Sequence, residues 1–268
     1  MSLTFKGGPL SEAPSKEVNY TLEGPAAKLM FQPFPRRVRI VVQGREVIDT
    51  TKGKLLHETG LLPVFYAPES DVDLSLLADS KHHTECPYKG IASYKNFVGG
   101  EKRDGNLFWH YPEPIEGVEW LRGYLAPYRA RVRWFDEDEE IFWHLRDPYT
   151  RVDVRHSSRP VKVSLDGRVL AETTKPAVLS ENGLPNRYYV SREDVKGKLL
   201  PSSTKTHCPY KGDATWHSLK IDGETIEDAA WSYEDPFESA LKVKGMLCFS
   251  QAKHPDLVTE VDGVPVEQ

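Results

Sequence analysis

The chain has 268 residues, 39% hydrophobic and 28% charged, a balance that excludes wholesale disorder and marks a soluble globular protein. Its 35 Lys and Arg against 40 Asp and Glu leave a formal net charge of -5, without the basic surplus of a phosphate-backbone binder, so nucleic acid is not an expected partner. Three scattered cysteines, with no Cys-x-x-Cys pair, exclude a disulfide framework and argue against a Cys-rich zinc site.

Residues 1–35, rich in Pro, Gly and Ser and without a sustained period, read as an N-terminal arm. They contain no apolar segment of signal-peptide length, and no run of about 18 apolar residues occurs anywhere. A cytoplasmic location without a membrane partner is the expectation.

From residue 36 onward the chain repeats itself. Arg36–Val72 aligns with Arg159–Val195 at an offset of 123, with 14 identities in 37 positions. Thr84–Tyr128 aligns with Thr206–Ser250 at an offset of 122, with 13 identities in 45. Chains of average composition match at roughly one position in sixteen by chance. The sequence therefore predicts a first, degenerate β domain over 36–143 and a second over 144–268.

Within each copy the pattern is that of strands and tight turns. "VRIVVQGREVIDT" and "VKVSLDGRVLAET" each place a turn, Gln43-Gly44 or Asp166-Gly167, between β-prone runs, the signature of a hairpin whose turn residues take positive φ. "LSLLADS" after Asp71 reads as a helical turn with Asp71 as its N-cap. Between the copies, Arg131–Trp134 and Ile141–His144 read as strands around a solvated acidic turn, Asp136 to Glu140. In the second copy a hairpin turns at Asp222-Gly223, "DPFESALKVKG" reads as one or two helical turns, and "TEVDGVPVE" as a closing hairpin. The expected fold is mainly β and antiparallel, with short helical segments.

The pentapeptide Cys-Pro-Tyr-Lys-Gly occurs twice, at Cys86–Gly90 and Cys208–Gly212. In an extended strand Cys and Lys at i and i+3 face opposite ways, so a bend is needed to bring ammonium to sulfur. If they meet, the ammonium favours thiolate, and Cys208 and Lys211 become candidate catalytic residues. A ligand-binding lysine and a purely structural motif are the other two readings.

"SENGLPNRYYVSREDV" adds Glu181, Arg187 and Tyr189, with Arg187 suited to clamp a carboxylate or phosphate. Their first-copy twins are Glu58, Val64 and Tyr66, and the loss of the arginine predicts a weaker site there. His144, Arg146, Asp147, Arg151 and Asp153 in "HLRDPYTRVDV" offer further charge or a structural ion-pair network. Trp231 and Tyr233, twinned by Trp109 and Tyr111, share one strand face and suit a core or a pocket wall. Phosphate-loop, dinucleotide, nucleophile-elbow and zinc-protease motifs are absent. Lys205 stands opposite His83 of the His82-His83 pair, so no metal site is expected, and no cofactor is identified.

The segments "RDPYTRVDVRHSSRPVKVSLDGRVLAETTKPAVLSENGLPNRYYVSREDV", "THCPYKGDATW" and "DAAWSY" together resemble domain of unknown function 427. That family also carries a nucleotidyltransferase-like label and is familiar in tandem. The resemblance implies a bent, two-sheet, tent-like (Mss4-like) architecture lacking that group's zinc cysteines. Transferase chemistry would ask for paired acids on Mg²⁺. Asp71-Val72-Asp73 has that look, but its twin reads Asp194-Val195-Lys196.

The leading expectation is a small anionic ligand, a nucleotide among the candidates, held mainly by the second copy. Arg187, Tyr189, Tyr210 and Lys211 would contact it, Glu181 would orient them, Trp231 would wall the pocket and Cys208 would line it. Glu58, Tyr66, Cys86 and Lys89 are the weaker first-copy set. The alternatives are an enzyme using Cys208 or Lys211 covalently, nucleotidyl transfer as the family label suggests, and a protein-interaction module.

Overall fold

A computed structural model describes residues 10, 17, 19 and 23–267. Most of the expected arm lies outside these. The described chain divides into two compact units between Pro148 and Tyr149, and both are built almost wholly from antiparallel strands.

Alternation builds each unit from its hairpins. Val38, Ile40 and Val42 are buried along one strand while Arg39 and Val41 are less so, and the turn that follows puts Gln43 and Gly44 at φ 48° and 77°. Asp166-Gly167, Asp222-Gly223 and Asp262-Gly263 repeat this left-handed pair, as two-residue hairpin turns require.

In the first unit seven strands form one sheet. Their order is Leu29–Pro33, Lys54–Glu58, Val64–Pro68, Tyr124–Pro127, Asp104–His110, Gly90–Phe97 and Leu77–Cys86. Four more, Glu139–Ile141, Arg133–Asp136, Val38–Val42 and Arg45–Thr50, form a second sheet. The second unit follows the same path. Val152–His156, Ala177–Glu181 and Arg187–Tyr189 are joined through a Val190–Leu247 bridge to Leu247–Phe249, Glu224–Tyr233, Gly212–Ile221 and Lys198–Cys208. Its small sheet runs Arg168–Thr173, Val161–Leu165, Leu257–Val261 and Val264–Val266.

The inner strands of each long sheet feed two cores, since neighbouring residues on a strand point to opposite faces. In the first unit Leu55, Phe65, Phe108 and Leu125 join Ile40 and Trp134 in one core. Their chain neighbours Leu56, Tyr66, Trp109 and Ala126 enter another with Tyr94 and Tyr111. The second unit repeats the division, with Val163, Tyr188 and Ala230 in one core and Leu179, Tyr189 and Trp231 in the other.

Four expectations are corrected. Leu29–Pro33, assigned to the arm, is a strand paired with Lys54–Glu58 in the register that Val152–His156 keeps with Ala177–Glu181. The segment after Arg131 forms strands at Arg133–Asp136 and Glu139–Ile141, turning at Glu137 (φ 54°). This is the first unit's own closing hairpin. Its acidic run is only partly a solvated turn, since Asp136 takes two hydrogen bonds from Arg36 and Glu140 two from Arg133. Finally, Asp73, not Asp71, caps the single helical turn Leu74–Leu76, while Asp71 accepts from Thr50 Oγ1 at 2.7 Å. The remainder of "LSLLADS" enters the strand Leu77–Cys86. Among the described residues no helix is long and apolar enough to cross a membrane.

Candidate functional site

The repeated pentapeptide is a hairpin turn. Cys208 pairs with Gly212 across the ladder, and the Lys211 amide donates to the Cys208 carbonyl at 3.2 Å. Cys86, Lys89 and Gly90 do the same in the first unit, also at 3.2 Å. The closing glycines sit at φ 99° and 102°. A side chain there would also press on backbone, at 3.2 Å from the Glu113 carbonyl at Gly90 and 3.3 Å from the Asp235 carbonyl at Gly212. Glycine is required twice over.

This turn supplies the bend that brings Cys and Lys together. The Cys208 thiol adjoins the Lys211 ammonium, which donates to Glu181 Oε2 at 2.5 Å. Both side chains are nearly buried, 11% and 7% exposed. Burial alone would drive the Lys211 amine down, but Cys208 and Glu181 outweigh it and hold the amine above its ordinary value. Burial likewise opposes the Glu181 charge, yet the lysine's field keeps that carboxyl below its ordinary value. Lys211 is therefore a charged, neutralised partner rather than a free amine. Tyr233 lies beside them, its phenol pushed well up by burial and then by Cys208.

Behind this pair, Trp231 Nε1 donates to the Tyr189 hydroxyl at 3.3 Å, with the rings edge to face. Arg187 lies over Trp231, its guanidinium carbon 5.9 Å from the ring centre. The arginine is half-buried. Among the described residues no hydrogen bond or ion pair reaches its guanidinium. Cys248, at the same core, is fully buried and its thiol is pushed up to about 12.

The first unit repeats most of this. Lys89 donates to Glu58 with both side chains buried. Cys86 adjoins Tyr111, and Trp109 Nε1 donates to the Tyr66 hydroxyl at 3.2 Å. Tyr210 is buried where its twin Tyr88 is 43% exposed. The structure thus gathers Glu181, Lys211, Cys208, Tyr189, Trp231 and Arg187 on one face of one sheet, and Glu58, Lys89, Cys86, Tyr66 and Trp109 on its counterpart. Tyr210 sits in the turn, where Ser239 donates to its carbonyl at 2.8 Å.

Arg151 and Asp153 pair with each other at 2.5 Å. His144, Arg146 and Asp147 fall before the division between units, and Arg151 and Asp153 after it. Tyr111 and Tyr233 are core residues, and each also adjoins the pentapeptide cysteine of its unit. Their Trp-x-Tyr recurrence was the available signal.

One family model, described as domain of unknown function (DUF427), matches residues 30–138 and again 153–263. The chain belongs to this family. Both DUF427 copies begin within the strands Leu29–Pro33 and Val152–His156, so those edge strands are part of the family's domain. No curated protein matches the chain. The paired acids that the transferase label called to mind are engaged locally: Asp71 by Thr50, and Asp73 by Ser75 at 3.1 Å.

Proposed function

We propose that the second DUF427 unit binds a small anionic ligand, nucleotides and sugar phosphates being the first classes to test, with Arg187 as its principal contact. The observation that carries this is the half-buried Arg187 guanidinium, set over Trp231 and without a hydrogen-bonding or ionic partner among the described residues. A guanidinium removed from water in part gains most from a bidentate carboxylate or phosphate. The Lys211–Glu181 pair next to it is neutral as a unit. It shapes the site, and Trp231 supplies a flat wall.

A second reading rests on Cys208. Its thiol beside a lysine ammonium suits nucleophilic chemistry. Lys211 itself, held protonated, is a poor covalent nucleophile.

The test is a thermal-shift screen of nucleotides and sugar phosphates on wild type, Arg187→Val and Lys89→Ala. Arg187→Val installs the residue that the first unit carries at Val64. A ligand at 100 times its dissociation constant adds about 2.7 kcal/mol to stability. The expected result is a shift lost in Arg187→Val and kept in Lys89→Ala. A shift that survives Arg187→Val, or no shift with any anion, would sink the proposal.

A further inference from the structure

In both units the long sheet is split at its middle. Val64–Pro68 pairs with Tyr124–Pro127 at Ala67–Leu125 and Pro68–Tyr124, so among the described residues Val64 to Tyr66 have no ladder partner on that side. In the second unit, among the described residues, only the Val190–Leu247 bridge crosses the same place. Arg187 occupies the Val64 position there. In the first unit a cavity of about 540 Å³ adjoins the split, a size typical of sites for small organic ligands.

Its walls are apolar: Leu55, Val64, Phe65, Trp109 and Trp134 all line it. Leu61 and Tyr128, 53% and 39% exposed, stand where solvent reaches the lining. One cation breaks the apolar surface. Arg129 lines the cavity, is half-buried, and among the described residues has no hydrogen bond or ion pair to its guanidinium. Its backbone is anchored, since Trp134 Nε1 donates to the Arg129 carbonyl at 3.0 Å. His144 also lines the cavity, but burial, reinforced by Arg129, pushes its imidazole below the ordinary value. Near neutral pH it adds no second charge.

The two units have exchanged the arginine across the split. Val64 and Arg129 in the first stand where Arg187 and Gln251 stand in the second.

We propose that the first unit binds a small monocarboxylic acid with an aromatic or branched apolar body, the carboxylate on Arg129 and the body in the cavity between Val64, Trp109 and Trp134. An apolar body removes that surface from water. A carboxylate supplies the charge-assisted bonds that the guanidinium lacks. A phosphate with a sugar would leave its hydroxyls against apolar walls.

The experiment is calorimetric titration of the full chain with 3-phenylpropionic acid, its alcohol and its amine. Wild type is compared with Arg129→Gln, Ala130→Trp and Arg187→Val, each first checked for an unchanged melting midpoint. Wild type should bind the acid at least tenfold more tightly than the alcohol, the scale of a charge-assisted bidentate contact. Arg129→Gln should remove that preference. Ala130→Trp, which adds bulk to the lining, should weaken acid and alcohol together. Arg187→Val should change neither, which separates this site from the one proposed in the second unit. Equal affinity for acid and amine, an acid preference that survives Arg129→Gln, loss of binding in Arg187→Val instead, or no binding of any of the three, would each overturn the proposal.

Discussion

Lys211 donates to Glu181 at 2.5 Å across 30 residues of chain, and its twin Lys89 donates to Glu58. In each unit the lysine comes from the hairpin turn and the glutamate from the end of a strand in the same long sheet. The ion pair therefore clasps the turn to the sheet.

Breaking one clasp should be costly and removing it whole should not. Lys89→Met leaves the buried Glu58 carboxylate without its ammonium, and removal of one partner of a buried pair costs about 3–5 kcal/mol. The double variant Lys89→Met with Glu58→Leu should recover most of that loss. Urea denaturation of the three proteins checks both statements. A single-variant loss below about 1 kcal/mol would mean that the pair behaves as an exposed one.

Acid should weaken the second unit through Asp228. Its carboxylate accepts from Lys253 and Thr204, both at 2.7 Å, and from Ser202. With the lysine contact foremost, these hold it down to about 2. A depressed carboxyl stabilises the fold above its unfolded value of about 3.9 and loses that contribution as pH falls toward the folded value. Melting midpoints should drop between pH 4 and pH 2 in wild type, and more shallowly in Asp228→Asn. Equal slopes would remove Asp228 from the account.

The three cysteines should separate by reactivity. Cys248 is fully buried with its thiol pushed up to about 12, so iodoacetamide should leave it unmodified at pH 8 until the protein unfolds. Cys86 and Cys208 are half-buried and should react in the folded state. Mass mapping after timed labelling reads this directly. Fast labelling of Cys208 below pH 7, reduced in Lys211→Met, would favour the thiol chemistry given above as the second reading.

The duplication and the hairpin turns were legible because they are local. An Asp-Gly between β-prone runs states its own backbone geometry, and Asp166 at φ 51° obeys it. Leu29–Pro33 was missed because its burial shows no alternation and only pairing with Lys54–Glu58 identifies it. The first unit's closing hairpin was displaced by two residues because charge, rather than alternation, dominated its reading. At the site, the Cys, Lys and Glu of each copy could be named in advance. The turn that joins them could not, since Pro-Tyr-Lys carries no single turn signature. The split and its cavity were beyond reach, because residues from Leu55 to Leu145 line it and no short motif spans them.

The closing hairpins have a consequence for biosynthesis. Arg133–Asp136 returns to pair with Val38–Val42, and Leu257–Val261 with Val161–Leu165, so each small sheet waits for the last strands of its own unit. Such long-range pairing folds slowly. The first unit's last strand ends at Ile141, before the second unit's first begins at Val152. On the ribosome the whole strand set of one unit has emerged before its twin starts to appear. Two alike β domains on one chain invite strand exchange, and this order of emergence gives the nascent first unit time to close its sheets on themselves.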